Sequence, residues 1–194
     1  MKIVGTDTLE VERALVAGEL ECPGCGGRLG PWGSARWRVV RRPGGGEWRR
    51  PRRSRCVGCA ASHVLIGTDT LLRRRDLAEV IGAALVAKAT GLGHRRAASM
   101  LGLPVSTVRG WLRRFAVNAE RVRVWFTVLA HDLDPLLAPL APTGTAVGDA
   151  VEAVAVAARA SSLRLAPVAP WSFASAASRG RLLSNTGWPW AATG

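Results

Sequence analysis

No stretch of the chain approaches about 18 uninterrupted apolar residues, so nothing in it reads as a membrane span. The most apolar segment, 145–160, is interrupted by Asp149, Glu152 and Arg159. The start, MKIVGTDTLEVERAL, lacks the basic, apolar and small-residue regions of a secretory signal. The expected compartment is therefore reducing: the cytoplasm, with the nucleoid as the place for a basic chain. Lysine is nearly missing, with only Lys2 and Lys88 among 27 basic side chains. An Arg- and Ala-rich composition also follows from a GC-rich genome, so the location of the charge says more than the choice of arginine.

That location is uneven. The formal net charge is +13 and the pI about 11.5, which points to a polyanionic partner. Residues 1–27 carry a net charge of −3, and residues 124–194 hold four charges of each sign. The middle, 28–123, has 21 basic and five acidic side chains, a net of +16. With 48% hydrophobic residues in 194, the chain has enough apolar material for at least one real core.

Cysteine is scarce, but its four copies fall as two close pairs, Cys22-Pro-Gly-Cys25 and Cys56-Val-Gly-Cys59. Two C-x2-C knuckles can present four thiolates tetrahedrally at about 2.3 Å from one structural Zn²⁺. Small residues at Gly24, Gly26, Gly58 and Ala60 let each knuckle turn tightly toward its sulfurs. The 30 intervening residues exceed the usual spacing, which a hairpin of variable length accommodates. Free thiols, a redox pair or a disulfide framework are the competing readings, and two pairs in a reducing compartment weigh against them. Four cysteines leave no open coordination position, so a catalytic metal is not expected. His63, four residues after Cys59, is either a spare ligand or a structural histidine bonding a knuckle carbonyl, and the latter is favoured.

The expected fold is mainly α: an N-terminal helix in 1–21, a small zinc-ribbon of short β-hairpins over 22–68, a tri-helical helix-turn-helix domain at 76–116, further C-terminal helices at 117–160, and a loosely ordered tail at 161–194. Asp7 or Thr8 caps the first helix and Gly18 lies near its end. Extended pieces at 36–42 and 47–50 flank Pro43-Gly44-Gly45-Gly46, a hairpin signature. Residues 76–90 alternate as an amphipathic helix, with Asp76 and Glu79 spaced as a capping box. Pro135, Pro139 and Pro142 break the chain before an Ala-rich helix at 146–160.

The stretch from His94 to Phe115 has the pattern of a helix-turn-helix. Ala97 and Ala98 permit close helix crossing, Gly102 supplies the turn, and Pro104 suits the first turn of the second helix. Val108, Trp111, Leu112 and Phe115 fall on one face; Ser106, Thr107, Arg109, Gly110 and Arg113 are left for the other. Arginine pairs bidentately with guanine, and Ser and Thr approach bases or phosphates, so Ser106, Thr107, Arg109 and Arg113 are the candidate base readers of double-stranded DNA. Arg73, Arg74, Arg75, Arg95, Arg96 and Arg114 are candidate phosphate contacts. A solvated basic face that binds nothing is the competing reading. A separate question is the arginine run at 49–55 with Trp48, Trp37 and Trp32 upstream: it is either a second nucleic-acid surface, or a small aromatic core with solvated arginines.

CPGCGGRLGPWG, RRSRCVGCAASHVL and GHRRAASMLGLPVSTVRGWLRRF together resemble an actinobacterial family of small zinc-ribbon and helix-turn-helix proteins of undefined function, similar to the N-terminal DNA-binding regions of insertion-sequence transposases. The resemblance is strongest from Cys22 to Phe115. It implies a mobile-element-associated DNA binder, and His63 falls at a histidine position of that pattern. A transposase of the usual kind gathers three carboxylates around two metal ions. Beyond the helix-turn-helix the acids are Glu120, Asp132, Asp134, Asp149 and Glu152, in sequence that reads as helix and tail, so no catalysis is expected. The expected function is that of an accessory or regulator beside a separately encoded transposase or integrase. A protein-interaction adaptor and a remnant of a decayed transposase are the alternatives. Only the helix at 116–130 suggests a dimer surface, and the oligomeric state is open.

Overall fold

A computed structural model describes residues 1–184 and divides the chain into two compact units, Met1–Leu77 and the residues from Ala78 onward. The composition is mixed α/β, 45% helix and 19% strand, rather than mainly α. The difference arises in the first unit, which has six strands, among them Lys2–Val4, Leu29–Ser34, Arg52–Cys56 and Ser62–Gly67 outside the hairpin read from the sequence.

In the first unit, β1 (Lys2–Val4) is followed by α1 (Thr8–Ala17), β2 (Leu29–Ser34), β3 (Arg38–Arg42), β4 (Gly45–Arg49), β5 (Arg52–Cys56) and β6 (Ser62–Gly67). Asp7 caps α1 as expected, its carboxylate accepting from the Leu9 and Glu10 amides at 2.8 and 3.2 Å. The main sheet has the order β1-β6-β5-β2, and β3 and β4 form the separate hairpin expected around Pro43 and Gly44. β1 lies parallel to β6, with Ile3 opposite Ile66. The helix expected within 1–21 is present as α1, and β1 before it adds an unexpected strand to the sheet that carries the cysteine knuckles. Leu15, Cys22, Leu29, Cys56 and Leu65 form one buried cluster, with Val4, Val11 and Leu20 packed against it, and Val40, Ile66 and Leu71 are also buried. The Arg52 guanidinium ties α1 to β5 through a bidentate pair with Glu12, at 2.7 and 2.8 Å.

The expected capping box at Asp76 and Glu79 does not form. Asp76 is buried in the first unit and paired with Arg41, Nη2 donating to Oδ2 at 3.0 Å beside a less well aligned Nε contact to Oδ1 at 2.8 Å. The buried carboxylate takes a full counter-charge in preference to a helix amide. Glu79 serves a different helix, described below.

The second unit contains α2 (Ala78–Ala89), α3 (His94–Leu101), α4 (Val105–Leu133), α5 (Ala146–Ser161) and α6 (Pro170–Ala177). α2, α3 and α4 each touch the other two, and α5 packs along α4. α4 is a single helix of 29 residues: the helical pattern expected to continue past Phe115 toward Ala130 does so, across the domain boundary expected near 116, and its apolar face runs without interruption from Val108 and Phe115 to Val122 and Phe126. The small residues Ala150, Ala153 and Ala157 on α5 are fully buried, which lets the two backbones approach closely.

Residues 161–184 are not the loosely ordered tail expected. α6 lies there, and Trp171, Ala174, Ser175, Leu182 and Leu183 are buried. The Glu79 carboxylate accepts from the Trp171 and Ser172 amides at 3.2 and 3.1 Å, capping α6 from α2. Residues 185–194 of the expected tail lie outside the described residues. Among the described residues no helix is long and apolar enough to cross a membrane.

Candidate metal centre and basic helix face

The two cysteine pairs occupy equivalent turns. The Gly24 amide donates to Cys22 Sγ and the Cys59 amide to Cys56 Sγ, each at 3.4 Å. The Gly26 amide donates to the Cys22 carbonyl and the Ala60 amide to the Cys56 carbonyl, at 2.9 and 3.1 Å. Gly26 and Ala60 both take left-handed backbone, with φ of 74° and 58°. β2 and β5 bring the turns face to face by pairing Leu29 with Cys56. Gly27, not singled out by the motif, packs closely on the sulfurs: a Cβ there would stand 3.1 Å from Cys56 Sγ and 3.3 Å from Cys25 Sγ, tight enough that they would have to shift by a few tenths of an ångström.

All four sulfurs lie within 4.8 Å of one another, and this group could hold a metal ion. Cys25 and Cys56 are 3.4 Å apart and Cys22 and Cys59 3.8 Å, well beyond the roughly 2.05 Å of a disulfide bond. The thiols differ in their readiness to ionise. The Cys59 amide is the main influence drawing Cys56 down to about 7, against burial. The Gly24 amide chiefly lowers Cys22. At Cys25 the Gly27 amide favours the thiolate, but the crowding thiols of Cys56 and Cys59 outweigh it and push the group up to about 12. A divalent cation removes that conflict, because its charge stabilises all four thiolates together.

His63 on β6 meets a sulfur and not a knuckle carbonyl: its Nε2 lies 3.4 Å from Cys22 Sγ. Protonated on Nε2, the ring donates to the sulfur and offsets part of the charge that four thiolates concentrate.

The other sequence-derived residues divide between the units. In the first, Arg73 and Arg75 are exposed and Arg74 is half-buried. The remainder belong to the second. Gly102 ends α3 in left-handed backbone at φ 63°, and α4 starts after Pro104. Val108, Trp111, Leu112 and Phe115 are buried, as their spacing indicates. Ser106, Arg109 and Arg113, three and four residues apart, share the exposed face with the half-buried Gly110, and Thr107 is half-buried at its margin. Arg95 and Arg96 are exposed on α3. Arg114 is partly engaged, its Nη1 donating to the Gly110 carbonyl at 3.2 Å. α1 and α5 are capped by the Asp7 and Thr145 side chains, whereas α3 and α4 begin with no side-chain cap. At α4 the Thr107 amide already donates to the Pro104 carbonyl at 3.0 Å, so an external acceptor there would meet the amides of Val105 and Ser106.

The arginine run at 49–55, from the end of β4 through β5, is only partly free. Arg49 bridges Glu47 at 2.8 Å and Asp69 at 2.6 Å, and Arg52 is held by Glu12. Trp32, Trp37 and Trp48 are 51, 60 and 67% exposed, so they do not form the core of the unit. Comparison with known proteins returns no match among family models, curated proteins or solved structures.

Proposed function

We propose that the protein binds double-stranded DNA through α3, the Gly102 turn and the first turns of α4, with a structural Zn²⁺ held by Cys22, Cys25, Cys56 and Cys59 in the first unit. One observation carries the DNA reading: Ser106, Arg109 and Arg113 line an exposed face of a helix whose opposite face is buried, inside a segment of net charge +16. That is a helix-turn-helix in which α4 enters the major groove, Arg109 and Arg113 address base edges, and Arg95 and Arg96 address phosphates. The uncapped starts of α3 and α4 support the same reading, since helix amides donate to phosphate oxygens.

Zinc is assigned from the donor set. A tetrahedron with metal–sulfur bonds of about 2.3 Å has sulfur–sulfur edges near 3.8 Å, and the two measured edges are 3.4 and 3.8 Å. The ion supplies a fourfold cross-link and neutralises thiolate charge; the cysteines fill its coordination shell, so its role is structural.

The proposed role is that of a DNA-binding accessory or regulator of a mobile element, working beside a separate transposase or integrase. The sequence resemblance favours that setting. The adaptor reading has its own observation: Val117, Val124 and Val128 are 79, 46 and 56% exposed on α4 and could dock a partner.

Arg109→Ala separates the two. On the duplex site that the protein prefers, the substitution is expected to cost about 1–3 kcal/mol of affinity while binding to scrambled duplex barely changes, measured by fluorescence anisotropy. An equal loss on every sequence would mean that Arg109 only holds phosphate and would favour the adaptor.

A further inference from the structure

Ten arginines and one acid, Glu47, lie between Arg28 and Arg55, and three tryptophans stand exposed in the same segment. Exposed indole is unusual on a free protein surface, because each ring leaves a large apolar area in water. Two of the three rings are held by their own arginines. The Arg55 guanidinium sits 4.7 Å from the Trp32 ring centre and that of Arg50 6.0 Å from the Trp37 ring centre. Trp32 lies in a β-bulge: Pro31 pairs with Ser54 and Ser34 with Arg52, so Trp32 and Gly33 together oppose Arg53, with Gly33 at φ 76°. Bulges of this kind re-aim a side chain. The third ring, Trp48, stands opposite Val39 on the β3–β4 hairpin.

We propose that the first unit binds single-stranded nucleic acid, its bases stacking on Trp32, Trp37 and Trp48 and its phosphates meeting Arg50, Arg53 and Arg55. Duplex DNA does not explain the tryptophans, since its base faces are covered by stacking. Unpaired bases offer those faces, and every base has one. An indole already fixed by a guanidinium loses little freedom on binding, and about half of the Trp32 surface stays open after Arg55 has docked. Arg49 and Arg52 are paired with the carboxylates of Glu47, Asp69 and Glu12. Among the described ion pairs and hydrogen bonds, Arg50, Arg53 and Arg55 meet only neutral acceptors, the Ala35 carbonyl, the Ser62 hydroxyl and the Ala60 carbonyl, so their charge is available to phosphate. This surface lies in the first unit and the α4 face in the second, so either can fail without the other.

The test uses the full zinc-loaded chain and anisotropy against four probes of equal length, about fifteen residues each: oligo-dT, oligo-rU, an abasic strand and a duplex. Oligo-dT is expected to bind at least tenfold tighter than the abasic strand and to quench tryptophan emission. A Trp32→Ala, Trp37→Ala, Trp48→Ala variant is expected to lose about a hundredfold on oligo-dT and less than about threefold on duplex, while the corresponding Trp→Phe variant keeps most of the affinity. Tighter binding of oligo-dT or of oligo-rU would each support stacking and would identify the preferred sugar. Equal affinity for oligo-dT and the abasic strand, or unchanged oligo-dT binding by a folded triple-Ala variant, would overturn the proposal.

Discussion

Stripping the metal with a strong chelator is expected to unfold residues 1–77 and leave the helices from Ala78 onward folded. One buried cluster of the first unit joins Leu15, Cys22, Leu29, Cys56 and Leu65, two of them cysteines of the centre, and Val40, Ile66 and Leu71 are also buried. A core in so small a unit supplies only a few kcal/mol, whereas a four-thiolate zinc centre contributes an apparent ~10–16 kcal/mol near neutral pH. Losing the ion also leaves crowded thiols, with Cys25 pushed up to about 12 and Cys56 drawn down to about 7. The second unit has its own buried core, from Ile81 and Leu85 on α2 to Phe115 and Phe126 on α4. Amide NMR spectra before and after chelation should therefore lose the dispersed peaks of 1–77 while those of α2 to α6 persist. Cys56→Ser should give the same pattern without chelator. A first unit that stays dispersed without metal would mean that the cysteines are only free thiols.

Gly82→Ala is expected to destabilise the second unit by about 2 kcal/mol or more, although a Gly to Ala change inside a helix ordinarily stabilises by up to about 1 kcal/mol. The reversal comes from α6. A Cβ at position 82 would overlap the Trp171 indole, and that ring is only 7% exposed. Trp171→Ala alone should cost about 3–5 kcal/mol by opening a cavity beside α2. In the double variant the methyl added at position 82 enters the space the indole vacated, so the combined loss should fall short of the sum. Denaturant melts followed by far-ultraviolet circular dichroism measure all three. Additive losses, or a Gly82→Ala protein as stable as the parent, would show that α6 does not pack on α2.

Where a segment's residues decide its structure locally, the sequence was readable. Asp7 caps α1, Gly102 ends α3, and the spacing of Val108, Trp111, Leu112 and Phe115 marks the buried side of α4. The knuckle spacing located the four sulfurs before any geometry was known. What escaped depends on distant partners. β1 is three residues long and exists because β6, some sixty residues on, offers an edge. β2 is Leu-Gly-Pro-Trp-Gly-Ser, which reads as a turn and is a strand only through its pairing with β5. Asp76 and Glu79 have capping-box spacing, yet Arg41 and the start of α6 claim their carboxylates. Trp171 lay in sequence too rich in Ser, Ala and Gly to suggest burial, and only the gap at Gly82 gives it a place. The open question over Trp32, Trp37 and Trp48 needed exposure, which no pattern of residues reports.

The most direct test of DNA reading is selection from a pool of random duplexes by the zinc-loaded chain at two salt concentrations. Enrichment of one short motif is expected, with affinity for it falling steeply and linearly in the logarithm of salt as phosphates release their counterions. Binding that is equally salt-sensitive but enriches no motif would contradict sequence readout by α4.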